Sequence, residues 1–393
     1  MTTTRRLLIQ AAALLPFSKA RAARKTASVY AQLGIRPVIN MAGTQTIYGA
    51  SKIWDELHEP MAEASRDYVV LAELQDKVGE RLARLTNCES AMVTTGAAGA
   101  ICLGTCACLT GDDVTKVRRL PDLTGMKTEV IIQKLHRNGY DHAVRNSGVR
   151  IVEVETLEEV EKACGPQTAM MYYLGGTSHD YAVAPAIPIE QCLAIMKRAG
   201  VPVLVDAANM LPPWGNIPKL GVLGVDLIAI SGGKHMRGPQ CSGILAGRKD
   251  LIRAAGLNSS PHSDSLGRPM KAGREEIVGC WLACEKYAKL DFDAIDREST
   301  RQAAYLIEQL RKIKELTVDQ TPFDRTRRVH RVRVTWDESK LGISTRQVMQ
   351  ELRDGEPRIA VLRANPGIEF TVFMNEPGDE KIAARRMRDI FKA

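Results

Sequence analysis

The stretch from Val201 to Gln240 reads VPVLVDAANMLPPWGNIPKLGVLGVDLIAISGGKHMRGPQ. Two runs within it, VPVLVDAA and DLIAI, are almost wholly apolar, the pattern of strands covered on both faces rather than strands with one wet side. The first run ends in a carboxylate, Asp206, and the second enters a glycine-rich turn that carries Lys234. Ligands of open α/β sheets bind beyond the carboxyl ends of the strands, so an acid and a lysine at two such ends read as a pocket. For Asp206 the bland alternative is a helix N-cap. Lys234 lies between Gly232-Gly233 and the tight RGPQ turn, which leaves no solvated helix face for it to occupy.

Working outward, short β-rich runs recur: AMVTT at 91–95, EVIIQ at 129–133, RIVEVE at 150–155, AMMYYL at 169–174 and SGILAG at 242–247. Helical stretches separate them, and the alternation predicts a mostly parallel sheet with helices on both faces, an α/β fold. Residues 55–85 carry apolar positions at three- and four-residue spacing and read mostly as amphipathic helix. Beyond about residue 265 the texture changes. A long helical segment at 274–300 leads to strand-like runs at 327–337, 358–363 and 369–374 and a closing helix at 379–392. That order predicts a smaller C-terminal α+β domain with an antiparallel sheet, joined by the N-terminal arm. The expected organisation is an arm over 24–60, a large domain over 61–264 and a small domain over 265–393.

The chain has 393 residues and a formal charge of +8, and Arg5, Arg6, Lys19 and Arg21 in the first twenty-two residues supply half of that excess. The remaining basic residues are scattered without interleaved aromatics, which argues against nucleic acid as a partner. The opening MTTTRRLLIQAAALLPFSKARAA, residues 1–23, has paired arginines, a short apolar core and a small-residue close. This is the layout of a twin-arginine export signal, too short to span a bilayer. It predicts a periplasmic or exported protein without stable membrane insertion; an unremarkable N-terminal extension on a cytoplasmic protein is the alternative. Cys102, Cys106 and Cys108 fall in an apolar helical run and read as small buried hydrophobes. Without paired C-x-x-C spacing no metal is expected.

Several chemistries fail on their spacing. A P-loop ending at Lys234 needs Gly at 228 and Ser or Thr at 235, where Ile228 and His235 stand. HEPMA at His58 lacks the second histidine of a zinc-protease helix, and PQCSGIL is not a nucleophile elbow. Four features survive: VTTGAAGAI at 93–101, a strand opening a helix of small residues; Asp206; Lys234; and His136, just past the EVIIQ strand. Exposed N–H groups at a helix start bind phosphate. Pyridoxal phosphate needs such a phosphate cup, a lysine, an acid for its ring nitrogen and a flat group over its ring, and the four features supply that set.

The segments GIRPVINMAGT, ARLTNCESAMVTTGAAGA, LPDLTGMKTEVIIQKLHRNGYDHAV, VPVLVDAANMLPP, SGGKHMRGPQCSGILAGRKDLI and GRPMKAGREEIVG together resemble one branch of the fold-type-I pyridoxal phosphate enzymes, which have an aminotransferase-like fold. It is the branch of selenocysteine synthase and D-glucosaminate-6-phosphate ammonia-lyase. The resemblance implies Lys234 as Schiff-base lysine and general base, and Asp206 as pyridinium partner. It places Thr95, Gly96 and Ala97 on the phosphate loop with Ser231 as a further contact, and His136 over the ring. It implies a homodimer or higher homo-oligomer, in which Arg268 or Lys271 reaches the neighbouring subunit's site, and Arg358 is a candidate clamp for a substrate carboxylate. The implied function is a lyase or transferase on a small amino acid or amino sugar acid, with an α,β-eliminating ammonia-lyase as the first expectation. Aminotransferase, racemase, aldolase-type, selenocysteine-synthase-like and non-catalytic readings stay open. Cys241, where relatives commonly carry serine, YYLGGTSHDYAV at 172–183 and EFTVFMNEPGDE at 369–380 depart from the pattern.

Overall fold

A computed structural model describes residues 28–176, 186–322 and 327–392. The export-signal segment and residues 177–183 of YYLGGTSHDYAV lie outside the described residues. Residues 28–38 carry one short helix, Val29–Gln32, whose first turn is capped by the Ser28 hydroxyl.

Strand β1 (Val38–Met41) is followed by seven strands that form one sheet: β2 (Ser90–Thr95), β3 (Glu129–Gln133), β4 (Arg150–Val154), β5 (Thr168–Leu174), β6 (Val203–Asp206), β7 (Leu227–Ser231) and β8 (Ser242–Gly247), in the order β2-β8-β7-β6-β5-β3-β4. Every run read as a large-domain strand is one. Only β8 runs against its neighbours; β7, β6, β5, β3 and β4 pair in parallel. Side chains alternate between two cores, as the two-residue period of a strand requires. Ile131, Val203, Val205, Ile228 and Ile230 enter one core, and Val130, Ile132, Leu204, Leu227 and Ala229 the other. This explains why β6 and β7 are apolar almost throughout. The second core includes the helix Gly96–Thr110, whose Cys102 and Cys106 are buried among aliphatic side chains. At Gly104 a Cβ would stand 2.5 Å from Leu204 Cδ1, so its small side allows the helix to lie close on the sheet.

Two long helical readings are interrupted. Residues 55–85 divide into a short 3-10 turn and the helices His58–Ala64 and Leu71–Thr86, the latter ended by left-handed Asn87. Residues 274–300 divide into Arg274–Tyr287 and a second helix, Phe292–Leu310, restarted by Asp291, whose side chain accepts from the Ala294 amide at 2.9 Å. Ile277, Cys280, Ala283, Cys284 and Tyr287 of the first piece join the core under the large sheet, although they follow residue 264.

The remaining strands, β9 (Thr317–Gln320), β10 (Arg331–Thr335), β11 (Arg358–Arg363) and β12 (Ile368–Thr371), form a five-stranded sheet with β1 in the order β1-β11-β12-β10-β9. Its pairs β9-β10, β10-β12 and β11-β12 are antiparallel, and β1 is an edge strand. Strand β9 escaped the sequence reading because only Val318 of its four residues is buried.

Candidate active site

Asp206 is the last residue of β6, 5 % exposed, on the same face of the sheet as Leu204. The neighbouring β5 places Tyr172 opposite Leu204, and its hydroxyl donates to Asp206 Oδ2 at 2.8 Å. The Ala208 amide donates to Oδ1 at 3.0 Å. Both donors are neutral. Burial pushes the carboxyl pKa up, and these two hydrogen bonds and the more distant Lys234 charge only partly offset it.

Lys234 stands three residues past β7 on a turn closed by Arg237 N–H to Lys234 O at 3.0 Å and Gly238 N–H to Gly232 O at 2.9 Å. The turn admits no side chain at Gly233, where a Cβ would come within 2.5 Å of the Gln240 backbone. The arm braces it from outside. Ser51 Oγ donates to Gly233 O at 2.8 Å, Trp54 Nε1 to Met236 O at 2.9 Å, and the Arg237 guanidinium lies 4.1 Å over the Trp54 ring. Among the described residues the Lys234 amine has no hydrogen bond or ion pair. Burial lowers its pKa, Asp206 works in the opposite direction, and the Arg327 charge adds to the lowering.

Thr95, Gly96 and Ala97 meet Ser231 through β8. Thr95 pairs with Ser242, and Ser231 with Gly243. A Cβ on Gly243 would sit 2.3 Å from Gly96 C and 2.8 Å from Ala97 N, so glycine there lets the strand approach the helix start. Gly96 takes φ +69°, and Thr95 makes no side-chain cap, leaving the first N–H groups of the helix as donors for an anion. His136 is fully buried past β3. Its Nδ1 accepts from the Leu174 amide at 3.3 Å, and its ring meets Tyr173 edge-on at 4.5 Å. Because Leu174 pairs with Asp206, the structure gathers Thr95, Gly96, Ala97, Ser231, Lys234, Asp206 and His136 along one edge, at the carboxyl ends of β2, β7, β6 and β3.

Three of the sequence candidates stand apart from this set. Arg268 and Lys271 are exposed, and Arg268 donates to Ser260 Oγ at 3.4 Å. Arg358 opens β11 and donates to the Arg353 carbonyl at 2.7 Å, at the end of the helix Thr345–Asp354. The cation that does reach Lys234 is Arg327, which is buried and bonded to Leu211 and His235. Sequence reading missed it because RTRRVH offers several similar arginines and no local pattern separates them. It missed Tyr172 too, although a tyrosine in an apolar strand needs a partner for its hydroxyl.

The residues present fit pyridoxal phosphate. Small residues leave backbone donors at a helix start, a lysine has no protein partner among the described residues, and a buried carboxylate has only neutral donors at hydrogen-bond distance.

A model of the aminotransferase class-V family matches residues 142–353. A 5'-C-glycyluridine monooxygenase-decarboxylase from Streptomyces sp is 32% identical over 92% of this chain and 91% of its own length. The D-glucosaminate-6-phosphate ammonia lyase of Salmonella typhimurium is 30% identical over 93% of this chain and 98% of its own. A solved structure of D-glucosaminate-6-phosphate ammonia-lyase superposes with a TM-score of 0.78 at 29% identity, covering 93% and 99% of the two chains. An L-seryl-tRNA(Sec) selenium transferase of Moorella thermoacetica is 26% identical over 59% of this chain and 53% of its own. The likeness to the ammonia-lyase runs through nearly both whole chains.

Proposed function

Because the chain belongs to the aminotransferase class-V family of fold-type-I pyridoxal phosphate enzymes, we propose that it is an ammonia-lyase that eliminates a leaving group and then ammonia from a small amino acid or amino sugar acid. The observation that carries the reading is the pairing, at adjacent strand ends, of a lysine whose pKa is lowered and a buried carboxylate without a cation at hydrogen-bond distance. When bound, pyridoxal phosphate supplies a conjugated ring that takes up the electron pair left when a bond to the substrate Cα breaks. Lys234 is the residue that holds it covalently. Lys234 Nζ would also take the Cα proton of the substrate, a task suited to an amine whose pKa burial has lowered. Asp206, oriented by Tyr172 and Ala208, would hold the proton on the ring nitrogen. The helix start at Gly96 and Ala97, with Thr95 and Ser231, would hold the phosphate, and His136 would cover the ring. Arg327 offers the fixed positive charge for an anionic group of the substrate.

The test is to offer the pure protein D-glucosaminate 6-phosphate, D-glucosaminate and both enantiomers of serine, measuring keto acid, ammonia and cofactor absorbance. Equal release of keto acid and ammonia from one of them is the expected result. An unchanged absorbance with every amine would overturn the reading. Oxygen uptake with release of carbon dioxide would replace it with the oxidative chemistry in the name of the Streptomyces relative.

Two further parts belong to the same proposal. Residues 1–23 direct export through the twin-arginine route, and an Arg5→Lys/Arg6→Lys chain should stay in the cytoplasm on fractionation; unaltered location would remove the claim. The working form is a homodimer or larger homo-oligomer, consistent with the exposed apolar run Tyr68, Val69 and Val70. In it Arg268 or Lys271 serves the neighbouring site, which light scattering and mixed-subunit assays with Arg268→Ala test. No helix among the described residues is long and apolar enough to cross a membrane.

A further inference from the structure

His235 follows the cofactor lysine directly and is 2 % exposed. Its Nε2 lies 2.7 Å from Nη2 of Arg327, and its Nδ1 has no hydrogen-bond partner among the described residues. A guanidinium carries donors only and keeps its charge. Nε2 is therefore the acceptor, and the imidazole is neutral with its proton on Nδ1. An imidazolium would turn an N–H against an N–H in a buried place. Arg327 is itself only 8 % exposed, and its Nε donates to the Leu211 carbonyl at 2.8 Å. Leu211 stands five residues past Asp206 and His235 one past Lys234. Two of the acceptors that hold the guanidinium thus come from the two strand ends that carry the site. The Phe373 ring, 4.8 Å from the His235 ring, packs against the imidazole.

We propose that His235 is a positioning residue, a neutral acceptor that pins Arg327 beside the Lys234 turn in one orientation. A histidine next to such a lysine invites a proton-carrying role, and its surroundings argue against one. Burial foremost, then the charges of Arg327, Lys234 and Arg331, hold it well below the usual histidine range. Among the described residues the charged groups that face Lys234 are Asp206, which favours the ammonium, and Arg327, which disfavours it. A pinned guanidinium therefore works with burial to lower the basicity of the amine, which raises the share that is neutral and nucleophilic at a given pH. If Arg327 swung free, Lys234 would become more basic and less often deprotonated.

The inference rests on the reading of Lys234 as the cofactor lysine, and one experiment separates the two. The full chain, freed of cofactor with hydroxylamine and checked for folding by circular dichroism, is acetylated with acetic anhydride across a pH series, and modification of Lys234 is followed by mass spectrometry. Arg327→Met should move the midpoint up by about one pH unit, roughly a tenfold slower reaction at a pH below both midpoints. His235→Leu should move it the same way by a smaller amount. His235→Asn, which keeps an acceptor oxygen, should restore the original profile. His235→Ala repeats the loss variant if the leucine chain does not fold. An unshifted midpoint in the loss variants or in Arg327→Met, or an asparagine chain that behaves like the leucine one, would overturn the inference. Borohydride fixation of pyridoxal phosphate on a lysine other than Lys234 in the loaded enzyme would instead overturn the cofactor reading on which it rests.

Discussion

At the carboxyl edge of the large sheet two aspartates are both closed to solvent, and their surroundings drive them in opposite directions. Asp141, past β3 and 1 % exposed, accepts from Arg137 Nε at 2.6 Å and Arg145 Nε at 3.0 Å. Burial works to raise its pKa, but the two guanidiniums prevail and lower it. Asp206, at the end of β6, has a hydroxyl and an amide in place of cations, and burial prevails. The Asp141 corner is complete within the chain, as a structural ion cluster must be. Among the described residues no cation stands at hydrogen-bond distance of Asp206, and under the proposed function a protonated pyridine ring would supply that charge. Low exposure alone therefore does not separate the two acids; the charge of their hydrogen-bond donors and the deeper setting of Asp206 do.

The comparison can be broken most sharply at Asp206. Asp206→Asn should lower turnover by about 10²–10³-fold, because the ring nitrogen loses its anionic partner, while the cofactor-free protein becomes no less stable. The sign follows from the raised pKa: the folded state holds the proton more tightly, so cofactor-free stability falls as pH rises from the ordinary carboxylate range through the raised value. Urea melts of Asp206→Asn should lack that decline, and a loss of neutral-pH stability would refute the contrast. Asp141→Asn should do the reverse, costing about 2 kcal/mol at neutral pH with turnover nearly intact, since two guanidiniums lose their carboxylate. Its stabilising contribution in the natural protein is present above the ordinary aspartate pKa and lost as pH falls through the lowered one. A smaller effect is expected at Tyr172→Phe, which removes one donor to Asp206 and should weaken cofactor binding about fivefold, roughly 1 kcal/mol, by equilibrium dialysis. Least of all, Arg358→Ala should cost under about 1 kcal/mol of stability through the lost contact at a helix end and leave KM unchanged. A large rise in KM there would return Arg358 to the substrate.

The legibility of the molecule from its sequence divides along the same line. Strands β2 to β8 were readable because continuous apolar runs are what a sheet with helices on both faces requires, and Asp206 and Lys234 stood out against them. Thr95, Gly96 and Ala97 were readable because a strand that stops at Thr-Gly and opens a helix of small residues has a local signature. The break between Tyr287 and Phe292 was not, since one aspartate cap interrupts an otherwise helical pattern. Nor was Arg327. Its approach to Lys234 depends on a contact with His235 spanning ninety-two positions of chain, and its neighbours in RTRRVH carry the same charge.

The measurement that tests the central claim most directly is reduction of the pyridoxal-phosphate-loaded protein with borohydride, followed by peptide mapping. The account predicts a single phosphopyridoxyl group on Lys234, with none retained in Lys234→Ala. A label on any other lysine, or an equal label on Lys234→Ala, would contradict it.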